Sequence, residues 1–175
     1  MDLQLLQYAP PVFVYYDTLN DWLFADWHGD LNLARVQEGC LTIAECFLRH
    51  STTRVLNSNC EVTDMSADVP AWLAKQYLPS LRLAGVQHMA WVYGTAPLLQ
   101  RYVEEAVRPV DDGSAVALFN NLADAYDWLQ RSQFHHQAPA ATPYDATARQ
   151  AELTKRVANL SAELRHYHQL AGISI

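Results

Sequence analysis

Apolar and polar positions change their period several times along this chain, and each change marks an element. Val12 to Asp17 (VFVYYD) is a β-branched and aromatic run, bounded by Pro10 and Pro11 before it and by Thr18 to Asp21 after it. Trp22 to Trp27 (WLFADW) repeats the pattern, and so short a connection predicts an antiparallel pair of strands. His28, Gly29 and Asp30 are expected to break the second strand. From Leu33 to His50 the spacing becomes helical, with Val36, Cys40, Ile43, Phe47 and Leu48 on one stripe. Arg54 to Leu56 predicts a short third strand, ended by the polar loop Asn57 to Asn59. Asp68 and Pro70 suit the start of a helix carrying Trp72, Leu73, Gln76 and Tyr77, and Pro79 is expected to end or kink it.

The second half repeats a strand-helix unit. Val86 to Tyr93 (VQHMAWVY) is apolar on both parities, as a central strand covered on both faces would be. Thr95 and Pro97 open a helix to Val107 with Leu98, Leu99, Tyr102, Val103 and Ala106 inward. Ala115 to Phe119 (AVALF) is the last strand, and Asn121 to Leu129 the helix that follows, with Leu122, Ala125, Tyr126 and Leu129 inward. The order β-β-α-β-α-β-α-β-α predicts an α/β domain over residues 1–131. Ser132 to Tyr144, rich in Pro, Ala and Gln, reads as a linker over 132–144. A helix follows over 145–175, whose Leu153, Val157, Leu160, Leu164 and Tyr167 form a heptad seam. Such a stripe must be buried, on its own domain or on a second copy in a homodimer.

Composition narrows the function classes. The 175 residues are half hydrophobic and carry a net charge of −7, with only 12 Lys and Arg, which excludes the clustered cations of a nucleic-acid binder. No segment has the apolar length of a membrane span, and MDLQLLQYAPP lacks a basic n-region, so a cytoplasmic protein is expected. Cys40, Cys46 and Cys60 are spaced for neither a disulfide nor a zinc pair and read as free thiols. His135 and His136 fall in the linker, and His166 and His168 do not share a helix face, so no metal site and no cofactor are expected. His28, between Asp26 and Asp30 at a strand exit, is better placed, because ligands of open α/β sheets bind beyond the carboxyl ends of strands. With Asn57, Ser58, Asn59 and Cys60 it makes a candidate loop site without an identifiable catalytic group. The tryptophans and most tyrosines read as core.

The residues at the element ends resemble a known family. They are DWHG at Asp26 to Gly29, VLNSN at Val55 to Asn59, Trp72, Tyr77 to Pro79, the Gly85-Val86 join into Ala90 to Tyr93, and Phe119 with Ala125, Trp128 and Leu129. Over Val12 to Arg131 the chain is similar to the SpoIIAA-like proteins of the STAS/SEC14 grouping. The resemblance implies a right-handed β-α superhelix on a five-stranded mixed sheet, with the first strand antiparallel and the rest parallel, to which the heptad pattern adds the separate C-terminal helix. It also implies a regulatory or protein-interaction module rather than an enzyme. The alternative is a small-ligand binder or weak enzyme using the loops at the strand ends. In the anti-sigma antagonist branch a serine in this region is phosphorylated; the matching stretch here offers Ser58, Thr63 and Ser66, without the Asp-Ser and Gly that mark that branch.

Overall fold

The computed structural model describes residues 1–50, 52–110, 115–132 and 143–171. Leu3–Ala9 (β1), Val12–Asp17 (β2) and Trp22–Leu31 (β3) form an antiparallel meander. Arg54–Met65 (β4), His88–Val92 (β5) and Ala115–Phe119 (β6) continue it in parallel, so the six-stranded sheet keeps the order β1-β2-β3-β4-β5-β6. The helices are Leu33–Arg49 (α1), Val69–Trp72 (α2), Leu78–Leu83 (α3), Pro97–Val107 (α4), Leu122–Arg131 (α5) and Pro143–Ala171 (α6). A π-helical turn, Leu73–Tyr77, joins α2 to α3. The expected α/β class, with an antiparallel start and parallel continuation, is what the pairings give.

Strand length departs from expectation at three places, each for a physical reason. The stretch Leu3–Ala9 is a sixth strand, where five were expected, because it pairs residue by residue with β2 from Leu3 opposite Asp17 to Ala9 opposite Val12, with one irregularity between Leu5 and Gln7. His28 to Asp30 do not end β3: Gly29 takes φ +71° within an irregular stretch of pairing, and the strand runs on to Leu31. Asn57 to Asn59 are not a loop but the middle of β4, which continues to Met65. Their burial is tolerated because the amides find partners inside: Trp27 Nε1 donates to Asn57 Oδ1 at 2.9 Å, and Asn57 Nδ2 donates to Asn59 Oδ1 at 3.3 Å.

Pro79 does not end the second helical stretch either. It lies inside α3, directly after the π-helical turn in which the Leu78 N–H reaches back to the Leu73 carbonyl. Widening the turn there is one way for a helix to meet a proline, which lacks an N–H for the preceding turn. Thr95 is not the cap of α4, whose N-cap is Ala96, whereas Asn121 caps α5 by accepting from the Asp124 N–H at 2.9 Å.

Side-chain alternation splits the core in two. Val14, Ala25, Trp27, Val55, Met89 and Trp91 point to the face covered by α1 to α4. Trp22, Phe24, Leu56, Ala90 and Val92 point to the other face, where α5 brings Ala125 and Leu129. The C-terminal helix occupies neither sheet face. It packs outside α1 and α3 as a third layer, where Leu153 is 2% exposed and Val157 and Leu160 are half-buried. The side chains of Leu164 and Tyr167 lie outside the described residues, as do His135, His136 and most of the expected linker. No helix among the described residues is long and apolar enough to cross a membrane.

Candidate functional site

The sequence-predicted site residues come together on adjoining strands, and most turn inward. In the parallel pairing of β3 with β4, Asp26 lies opposite Ser58 and His28 opposite Glu61, with an irregularity between them. The His28 imidazole meets Asp26 at 2.9 Å through Nε2 and packs edge-on against Phe13, 5.0 Å between ring centres. Ser58 is 0% exposed, and its Oγ accepts from the Cys60 N–H at 3.3 Å. Asn57 and Asn59 are spent on Trp27 and on each other, and Cys60 packs half-buried on the second core cluster. Transfer of a phosphoryl group to Ser58 would require the groups that cover its hydroxyl to move aside. Thr63 is exposed and donates to Asp30, and Ser66 is half-buried and donates to Asp68 at 2.7 Å.

The buried thiols are chemically quiet. Burial pushes the Cys40 thiol well above its ordinary value, against the smaller opposing effect of its hydrogen bond with Tyr77, and burial raises the Tyr77 phenol in turn. Cys46 is raised by the same cause. A thiol held protonated is a poor nucleophile. Among the described residues no group of three or more His, Cys, Asp or Glu converges as metal ligands would.

A polar cluster that sequence reasoning missed lies at the opposite end of the strands. Asp17 accepts from the backbone of Asp2 and Leu19, each at 3.1 Å, and from Asn20 Nδ2 at 2.7 Å. The Arg54 guanidinium donates to the carbonyls of Asn20, Asp21 and Leu129 and lies over the Trp22 ring, 5.3 Å from its centre. Burial lowers the Arg54 pKa, while the carboxylates of Asp21 and Asp17 work against that shift. These bonds tie the β2-β3 turn, β4 and α5 together, and a buried charge so satisfied is a structural clamp. An arginine opening a strand, with Asp17 and Asn20 at the preceding turn, was the available signal.

The accessible chemistry is a different one. On the face opposite α1, α5 packs over β4, β5 and β6, Trp22 and Phe24 of β3 are buried beside it, and the outer part formed by β1 and β2 is the more exposed. There Leu5 is 52% and Tyr8 55% exposed. Tyr8 stacks on Phe13 at 4.2 Å, Phe13 neighbours Tyr15 at 6.3 Å, and Tyr15 neighbours Phe24 at 5.8 Å. These rings run from Tyr8 on β1 to the buried Phe24 on β3, and the His28–Asp26 pair branches from Phe13. Among the described residues no strand pairs with the outer edge of β1, and its sequence LQLLQYA contains no charge and no proline to discourage a further strand.

No family model matches the chain, and none of the curated proteins does. Among solved structures it is similar to an uncharacterised protein of the DUF3478 family with a SpoIIAA-like fold from Shewanella loihica PV-4, at 18% identity, over 67% of this chain and 91% of that one, with a TM-score of 0.43. It is also similar to the anti-sigma factor antagonist SpoIIAA in its unphosphorylated form, at 9% identity, over 75% of this chain and 98% of that one, with a TM-score of 0.44. Both are likenesses in the course of the chain, and the α/β architecture described above stands on the strand pairings themselves.

Proposed function

We propose that this chain is a cytoplasmic, non-enzymatic regulatory module that binds another protein through the exposed face of β1 and β2. The observation that carries the reading is the exposed pair Leu5 and Tyr8, with Tyr8 stacked on the half-buried Phe13, beside an edge of β1 that pairs with no strand among the described residues. Large apolar surface left in water is unfavourable by about 25 cal/mol per Å² and is characteristic of interaction sites. Tyrosine and phenylalanine are the residue types that interface cores concentrate. The inward turn of Asn57, Ser58 and Asn59 supports a binding role over a catalytic one, because it removes the polar groups that a strand-end active site would present. The three unpaired cysteines support a reducing compartment.

The partner that fits is a protein segment bringing an apolar face, with a strand to add to the β1 edge. The test compares the tagged native chain with a Leu5→Asp/Tyr8→Asp variant, each recovered from cells that naturally produce it and each checked for an unchanged unfolding midpoint. A companion recovered in near-stoichiometric amount with the native chain, and reduced about tenfold or more with the variant, is the expected result. Light scattering on the purified chain registers the case in which the companion is a second copy. Identical companions for both chains would overturn the proposal, as would two monomers without any stoichiometric companion.

A further inference from the structure

The groove beneath α6 is a second feature, independent of the open sheet face. It encloses ≈ 440 Å³ where α6 crosses α1, the π-helical turn and α3. That size falls within the range of about 300–1,000 Å³ typical of small-molecule pockets. Its lining is mixed: Ala44 and Phe47 from α1, Leu81 from α3 and Leu153, Val157 and Leu160 from α6 are apolar, whereas Gln76, Ser80 and Asn159 are polar. Its rim is charged, with Lys75, Lys155 and Arg156 against Glu152 and Glu163.

The rim cations are placed unevenly with respect to the rest of the molecule. The chain has 12 Lys and Arg in a protein of net charge −7, and just two of them are lysines, Lys75 and Lys155. Both lie on this groove, one from the π-helical turn and one from α6. Arg156 is already engaged, its Nε on Glu152 at 3.1 Å and its Nη1 on Ser80 at 3.5 Å. Glu152 is thereby neutralised, and neither lysine has an ion-pair partner among the described residues. An ammonium on a flexible stem is a mobile point charge, suited to a single anionic group on a ligand whose body is held elsewhere.

We propose that this groove binds an amphiphilic carboxylate, with its aliphatic body on the half-buried Trp72, Ala84, Val157 and Leu160 and its carboxylate between Lys75 and Lys155. Since Val157 and Leu160 of that lining belong to α6, the bound molecule holds that helix in its seat. The probe is decanoate below its micellar concentration, titrated calorimetrically into the full chain, with decanol and inorganic phosphate as comparisons. A Lys75→Met/Lys155→Met variant keeps most of each stem and removes both charges, and its urea midpoint shows that it folds.

Saturable decanoate binding is expected, weakened about five- to tenfold in the double variant, as two solvent-accessible charge contacts would give. Decanol is expected to bind more weakly than decanoate to the native chain and equally to both chains. Decanoate is also expected to slow amide exchange in the part of α6 that carries Leu153 and Val157. Absent saturable binding overturns the proposal. So does equal affinity for decanol and decanoate, competition by phosphate as strong as by decanoate, or a double variant that binds decanoate undiminished.

Discussion

At Gly39 the backbone of α1 lies against the ring of Trp27: a Cβ built there would stand 2.5 Å from Cη2 and 2.6 Å from Cζ3. The ring is not free to move aside, because its Nε1 is tied to Asn57 Oδ1 at 2.9 Å inside the sheet. Alanine would gain up to about 1 kcal/mol of helix propensity, whereas forcing a methyl into a packed core costs about 1–3 kcal/mol. The steric term wins. Gly39→Ala is expected to lower the unfolding free energy by about 1–2 kcal/mol, read from the urea midpoint at unchanged slope. A midpoint equal to or above that of the native chain would show that α1 shifts away from Trp27 at no cost. Replacing Asn57 by Ala acts on the same contact from the other side, leaving the buried indole N–H without its acceptor, for a loss of about 1–3 kcal/mol.

At the scale of elements, the seam between α1 and the π-helical turn couples stability to pH. Cys40 and Tyr77 meet there, both fully buried and both with raised pKa values, chiefly through burial. In the unfolded chain the thiol ionises from about pH 8.5 and the phenol from about pH 10, while the folded chain retains both protons. The unfolded state then binds fewer protons, so stability is fully present below about pH 8.5 and falls as pH rises, by at most about 1.4 kcal/mol per pH unit for each group. The measurable outcome is a melting temperature that declines from about pH 8.5 upward, with a shallower decline in Cys40→Ala. A Cys40→Ala profile parallel to that of the native chain would place the titrating group elsewhere.

Those same elements show what sequence pattern can and cannot convey. The stripe of α1 and the alternation of strand and helix in the second half are periodic or local signals, and they were readable, whereas the parallel order of β4, β5 and β6 was implied by the family resemblance. The length of β4 was not readable, since Asn57 is acceptable in a buried strand only because Trp27, thirty positions earlier, supplies a donor. In VFVYY the distinction between faces was present but unread: the valines Val12 and Val14 pack under α1, and the aromatics Phe13 and Tyr15 stand on the open face. That alternation separates core from candidate surface within one strand. The partnership of β1 with β2 is non-local and became visible only in the pairing.

For the whole molecule, the arrangement divides into a sheet with its two helical covers and a third layer made by α6. The clusters that hold β3, β4 and β5 draw on α1 to α5 and the π-helical turn, whereas α6 is seated on α1 and α3 from outside, with Leu153 as its buried anchor. A helix of about 44 Å has little reason to remain helical in water once undocked, so its stability is that of its seat. We expect two cooperative units, residues 1–131 and the C-terminal helix. Leu153→Ala removes about 2–3 kcal/mol of docking at a site that relaxes in part. Undocking needs no opening of the sheet, so native-state amide exchange in α6 is expected to quicken about thirty- to a hundredfold, while the amides of β4 and β5 keep their rates. If β4 and β5 quicken by the same factor, α6 is part of a single cooperative core, and the division at residue 131 falls with it.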